Sequence, residues 1–239
     1  MRERTLGGLR VRFAGGTDGQ GGGNGPMVVL LHGFGAPGTD LVPLSLTLGE
    51  GRATRFAFPE APLALDAFGG GRAWWMVDLV ELQAALAAGR ERDLSGSLPA
   101  GVESSRAAVL AMLDDLCTQL GVPSERIVLG GFSQGAMLAC DVALRDPRPL
   151  LGLVVMSGTM LAQCQWTPLM PSRAGLPVLQ SHGRFDPLLP FSVAERLRGA
   201  LTEAGLDVRW SPFDGGHEIP RSVLTAAAHF LSDLETPAD

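Results

Sequence analysis

Residues 127–137, "IVLGGFSQGAM", decide how this chain is read. An apolar run gives way to Gly131-Phe132-Ser133-Gln134-Gly135, which fits G-x-S-x-G, the pattern of a strand that turns abruptly into a helix with a serine at the turn. Such a turn holds its central residue in a sparsely populated backbone region, tolerable only where bulky neighbours are absent. Glycines two before and two after Ser133 supply that room. With 32 glycines in 239 residues, however, the match alone is weak, and the serine needs partners from elsewhere in the chain.

Serine attacks a carbonyl only if a base accepts its proton and a third group fixes the tautomer of that base. The chain has four histidines, so the base can be sought by elimination. His32 and His182 stand at strand ends, where loop organisation is their expected work, and His229 lies within the helical stretch "LTAAAHFLSDL". His217, in "FDGGHEIP", follows a strand and two glycines and is the expected base. For the acid, "SHGRFDPLLP" places Asp186 just past a buried strand, while Asp214 and Glu218 are closer to His217 in sequence. Asp186 gives the chain order Ser…Asp…His of the α/β-hydrolases; read alone, it is also a turn or helix cap before Pro187. A developing oxyanion would take the backbone N–H of Gln134 and, from the turn after "MVVLLHG", that of Phe34.

Outward from the serine, short apolar strands alternate with helices. Strands are expected at "LRVRFAGG" (an edge), "MVVLLHG", "ATRFAFPEAP", "IVLGGF", "LLGLVVMSG", "LPVLQSHG" and "DVRWSPF". Helices are expected within 72–100, over 102–120, and at "GAMLACDVALRD", "PFSVAERLRGALTEAG" and "RSVLTAAAHFLSDL". This alternation predicts a mainly parallel central sheet with helices on both faces, in one domain spanning 1–239. Ligands in such sheets gather at the carboxyl ends of the strands, where Phe34, Ser133, Asp186 and His217 all fall. Residues 15–26, rich in glycine, are expected to form a flexible loop. Residues 72–100 and 159–175 are expected to form a small cap. Their Trp74, Trp75, Trp166 and Met170 either pack that cap on the core or line an apolar acyl pocket, and 72–100 would act as a lid.

Composition narrows the functions. A net charge of −6 opposes nucleic-acid binding. All 19 basic residues are arginine, so lysine chemistry is excluded, and the lack of tyrosine excludes phenolic acid–base work. Cys117, Cys140 and Cys164 form no C-x-x-C, stand on no strand-to-helix turn and suit a reducing cytoplasm. The start "MRERTLGGLRVRF" has no apolar run behind it, so no signal peptide is expected, and no stretch suffices for stable membrane insertion. Exposed apolar loops would suit a weak homodimer.

The segments "LHGFGAPG", "AWW", "RIVLGGFSQGAM", "SHGRFDPLLP" and "GGHEIP" resemble, in order and from about residue 9 to 234, the carboxylesterase/acyl-protein thioesterase family of α/β-hydrolases. The resemblance implies Ser133 as nucleophile, His217 as base, Asp186 as acid, and the amides of Phe34 and Gln134 as the oxyanion hole. It also implies hydrolysis of carboxylic esters or thioesters of small-molecule or lipid acyl substrates, lysophospholipids included, with no cofactor or metal. Ala36 stands where the family usually has an acidic residue, Trp74-Trp75-Met76 replaces a W-F-D-like segment, and the stretch from there to Ser133 is longer. These departures fall where pockets are shaped.

Other readings compete. "GFGAPG" (33–38), with Glu60 further on, outlines a dinucleotide turn, but Pro37 and Pro43 interrupt the helix it requires. "HEIPR" approaches a zinc motif but ends in Arg221, with a helix-breaking Pro220. A catalytically silent ligand-binding protein of the same fold is the remaining alternative.

Overall fold

The computed structural model of the protein describes residues 1–66 and 70–235; the last residues of the expected domain, 236–239, lie outside that description. The chain opens with an antiparallel pair, β1 (Arg2–Leu6) and β2 (Leu9–Gly16), and a short β3 (Gln20–Gly22) beside β2. Next come β4 (Met27–Leu31), β5 (Arg55–Pro59) and a separate ribbon of β6 (Leu63–Leu65) and β7 (Gly71–Ala73). The run closes with β8 (Ile127–Phe132), β9 (Gly152–Met156), β10 (Pro177–Gly183) and β11 (Asp207–Phe213). The main sheet is ordered β1-β2-β5-β4-β8-β9-β10-β11, and every pairing from β5 to β11 is parallel.

Strands buried on both sides should be apolar throughout, and β4, β8 and β9 are. Val29 and Leu31 of β4, Leu129 of β8 and Val155 of β9 point to one face, where they meet α3 (Val102–Leu120), α4 (Gln134–Arg145) and α6 (Phe191–Glu203). Val28, Leu30, Val128 and Val154 alternate to the other face, covered by α1 (Leu44–Leu48) and α7 (Arg221–Glu235). Helix α7 presents Val223, Ala227, Phe230 and Leu231, the spacing of a single helical stripe. Helix α4 is buried over almost its whole length, including Asp141, whose fully buried carboxylate pairs with Arg106 (2.5 Å) and Arg145 (2.9 Å) and accepts the Trp166 Nε1–H (2.8 Å).

Within the glycine-rich 15–26 stretch, Asp18 Oδ1 accepts the N–H groups of Gln20 and Gly22 (both 2.8 Å) beside β3. Two local expectations are corrected. "LRVRFAGG" is β2, one strand in from the edge, because β1 pairs along it in register from Leu6–Leu9 to Arg2–Phe13. The 159–175 stretch is not a pocket cap. It forms α5 (Gln163–Trp166) and a 3₁₀ segment over Thr167–Arg173, and both Trp166 and Met170 are buried in the core.

Candidate active site

Strand β8 ends at Phe132, and Ser133 turns the chain into α4 with φ 54° and ψ −119°. That left-handed φ is strained for a residue with a Cβ, and the surrounding structure must enforce it. Two contacts do so. The Ser133 N–H donates to Met156 O of β9 (2.9 Å), extending the sheet ladder one residue beyond the strand. On the other side the helix start presses on β4: a Cβ on Gly135 would lie 2.1 Å from Leu31 O, and one on Gly131 2.5 Å from the same atom. The two glycines that make the motif recognisable are therefore sites of backbone contact, and Ser133 stands at the carboxyl edge of the sheet.

His217 reaches this serine from the loop after β11. Its Nε2 lies 2.8 Å from Ser133 Oγ and its Nδ1 2.6 Å from Asp186 Oδ2. A carboxylate only accepts, so Nδ1 carries the hydrogen and the Nε2 lone pair faces the serine O–H. Asp186 sits in the loop after β10, its side chain fully buried, with Oδ1 accepting the N–H groups of Leu188 and Leu189 (both 2.9 Å). Burial pushes its carboxyl pKa up, but the His217 hydrogen bond and the two amides outweigh burial and hold it below the ordinary aspartate range. The nearer acids do other things: Asp214 pairs with Arg184 (3.3 Å) at the surface, and Glu218 makes no contact with the imidazole among the described residues. The loops of Asp186 and His217 run together, with Phe185 N–H donating to Gly215 O (3.0 Å). Phe132 packs against the His217 ring, centroids 4.9 Å apart.

His32 organises the turn that carries Phe34. The Ala61 N–H donates to His32 Nε2 (3.0 Å), so the imidazole is protonated on Nδ1, which donates to Gly33 O (2.8 Å). The Gly33 carbonyl and the Phe34 N–H belong to one planar trans peptide and point oppositely, so holding the carbonyl aims the amide. Among the described residues the neighbouring amides are engaged, Gly35 with Arg72 O (2.8 Å) and Ala36 with Gly33 O (3.4 Å), while the Phe34 amide is not. The Gln134 N–H, at the first position of α4, has no intrahelical acceptor. Burial lowers the pKa of His32 and favours its neutral form. Glu60, the acid of the dinucleotide outline, instead pairs with Arg12 (2.9 Å) and Arg72 (2.7 Å), and no helix starts at 33–38, α1 beginning only at Leu44.

One feature of the site was not anticipated. The Gln134 side chain is buried and clamps the 74–75 segment, its Oε1 accepting the Trp74 N–H (2.9 Å) and its Nε2 donating to Trp75 O (2.8 Å). Sequence reasoning gave Gln134 a backbone role only; a long amide at the buried start of a helix was the available signal. Trp74 itself turns inward, with Nε1–H on His32 O (2.9 Å), and is a core residue. A cavity of about 390 Å³ opens at Ser133 and His217, walled by Phe34, Trp75, Met76, Leu82, Leu94 and Leu189 among others. Of the four side chains expected in an acyl pocket, only Trp75 lines it; Trp74, Trp166 and Met170 are core residues instead, because their segments pack inward. Most of the distal wall comes from 75–99, including α2 (Leu79–Ala87).

A strained serine at a strand–helix turn, with histidine and aspartate delivered by the loops after the last two parallel strands, defines an α/β-hydrolase. The sequence profile of the Phospholipase/Carboxylesterase family matches residues 21–235, and the chain belongs to that family. It is 31% identical over 228 residues to acyl-protein thioesterase 1 of Eremothecium gossypii, covering 88% of this chain and 89% of that protein. It is 32% identical over 217 residues to a probable carboxylesterase of Oryza sativa subsp. japonica, covering 88% and 78%. Among solved structures, esterase PE8 superposes with a TM-score of 0.78 at 30% identity, covering 95% of this chain and 99% of that one. A Bacillus cereus carboxylesterase, at 19% identity and a TM-score of 0.71, shares the fold. The family is one of hydrolases, and no described helix is long and apolar enough to cross a membrane.

Proposed function

We propose that the protein is a serine esterase that cleaves carboxylic esters, and thioesters of the same acyl groups, through an acyl-enzyme on Ser133. The observation that carries this reading is the unbroken relay Ser133 Oγ–His217 Nε2 (2.8 Å) and His217 Nδ1–Asp186 Oδ2 (2.6 Å) at a strained turn. Ser133 Oγ attacks the substrate carbonyl while His217 Nε2 takes its proton, and Asp186 stabilises the imidazolium. The oxyanion is met by the N–H groups of Phe34 and Gln134. Collapse breaks the bond to the alcohol or thiol, which leaves with the proton held by His217. Water then enters, gives a proton to His217 and attacks the acyl-enzyme; the acid departs and Ser133 is reprotonated. None of these steps uses a metal or cofactor.

The mainly apolar cavity suits the acyl chain of a small molecule or lipid. The test is labelling with a fluorophosphonate, read by peptide mass spectrometry, with Ser133→Ala as control. An adduct on Ser133 that disappears in the variant supports an activated serine. An unlabelled protein that still binds acyl ligands would establish the silent ligand-binding alternative. Hydrolysis of matched butyrate oxygen esters and thioesters then separates the two substrate classes.

A further inference from the structure

The cavity wall contributed by the 88–101 loop carries a cation that finds no counterpart among the described residues. Arg92 lines the cavity and is half-buried, yet makes no ion pair, hydrogen bond or ring contact among the described residues. Its neighbours explain its direction. Glu91 accepts the Ser192 hydroxyl (3.3 Å) and Asp93 pairs with Arg196 (2.5 Å), both on α6, while Asp93 Oδ1 also accepts the Ser95 N–H (2.9 Å). With the residues on either side fastened to α6, the side chain between them faces the cavity.

The other charged groups on the wall do not neutralise it. Asp78 caps α2, its Oδ1 holding the N–H groups of Val80 (3.0 Å) and Glu81 (2.9 Å), and lies beyond ion-pair distance of Arg92. His217 is engaged by Asp186 and Ser133. The remaining wall is largely apolar, which thins the water that would screen a charge there. A guanidinium is a planar fork of donors matched to carboxylate and phosphate oxygens.

We propose that Arg92 is a specificity-determining residue that selects esters bearing an anionic group, carboxylate or phosphate, remote from the scissile carbonyl. This rests on the reading of Ser133 as nucleophile. A neutral ester fills the apolar cavity but leaves the cation unanswered, whereas an ester with a remote anion fills the cavity and pairs with Arg92.

The experiment measures kcat/KM for two matched pairs: p-nitrophenyl hydrogen glutarate against p-nitrophenyl butyrate, with the anion on the acyl side, and 4-carboxyphenyl butyrate against phenyl butyrate, with the anion on the leaving group. Each charged-to-neutral ratio is compared in wild type, Arg92→Gln and Arg92→Lys. Arg92→Gln should lower at least one ratio about fivefold to thirtyfold, the scale of one partly exposed charge-assisted pair, carried mainly by KM. Arg92→Lys should recover part of it, and the pair that responds tells which side of the ester Arg92 reads. Asp78→Asn, which keeps the capping oxygen and removes the charge, should raise the same ratio. Neither ratio moving in Arg92→Gln overturns the proposal. If no ester is turned over at Ser133, the esterase reading fails by itself. Binding of monomethyl glutarate against methyl butyrate to Ser133→Ala protein, followed by NMR titration, then decides the role of Arg92, with equal affinities refuting it.

Discussion

Replacing Gln134 by methionine separates the two things this residue does. The backbone N–H at the start of α4 stays, while the clamp on Trp74 N–H (2.9 Å) and Trp75 O (2.8 Å) is lost. Methionine is close in length and volume, so a cavity contributes little. Both groups released are buried, and a stranded donor or acceptor costs about 1–3 kcal/mol, the carbonyl less than the N–H. The expected loss is about 3 kcal/mol, roughly a 150-fold change in the folding equilibrium. For a domain of this size it is a fall in Tm of about 6–12 °C. Urea melts should show a lower midpoint with an unchanged slope. Gln134→Glu sharpens the test, because an ionised carboxylate accepts from Trp74 N–H but faces Trp75 O, whereas the protonated acid donates to it as the amide does. The folded-state pKa of that glutamate is then raised, so its contribution is fully present below the unfolded value of about 4.3 and lost as pH rises. The deficit of Gln134→Glu relative to wild type should widen from pH 4 to pH 7. A loss below about 1 kcal/mol in Gln134→Met, or a deficit in Gln134→Glu that does not depend on pH, would refute the clamp.

Other consequences can be checked in parallel. Asp186→Asn keeps an acceptor for Leu188 and Leu189 N–H but puts an NH₂ against His217 Nδ1 and favours the wrong tautomer; kcat on a p-nitrophenyl ester should fall about 10³–10⁴-fold. His32→Phe frees the Gly33 peptide, so kcat should fall about tenfold to a hundredfold, the scale of weakening one oxyanion donor, with KM moving less; an unchanged kcat would remove His32 as a positioning residue. Asp141→Ala removes the carboxylate partner of two partly exposed arginines and strands the buried Trp166 indole N–H, and should destabilise the fold by about 1–3 kcal/mol in calorimetry. Stability should also decline in acid. His32 and His182 have folded-state pKa values lowered by burial, so their neutral forms stabilise fully above about pH 6.5, and that contribution erodes as the unfolded chain takes up protons below it. Asp186, with its pKa depressed, adds a loss at still lower pH. Equal denaturation midpoints at pH 7.5 and pH 5 would contradict these assignments.

Sequence legibility followed the physics of burial. Helix α3 appeared at its expected bounds of 102–120, and the buried parallel strands were visible as continuous apolar runs between turn residues. Ser133, Asp186 and His217 could be placed near one another because each follows a parallel strand, and the ends of those strands converge at one sheet edge. Side-chain direction was not legible. Trp166 and Met170 sit in a stretch without regular apolar spacing, and only tertiary packing decides that they turn into the core. β1, with the sequence RERTL, is too polar to be read as a strand until its partner is known. In 15–26, the bonds of Asp18 to amides within its own turn are hidden by composition under the glycines.

The close approaches in this fold have an engineering consequence. Besides Gly135 against β4, a Cβ on Gly183 would lie 2.1 Å from Gly216 O, so the strand leading to Asp186 and the loop bearing His217 are fitted main chain to main chain. The spacing of Ser133, His217 and Asp186 is thus gauged by peptide units, while much of the distal cavity wall is supplied by a surface excursion between β7 and α3. The molecule is divided into a fixed chassis and an exchangeable fitting. Grafting the 76–99 excursion of a homologue onto this chain, with Trp74, Trp75 and Gln134 left in place as the mounting, should transplant its substrate range while the chemistry stays where it is.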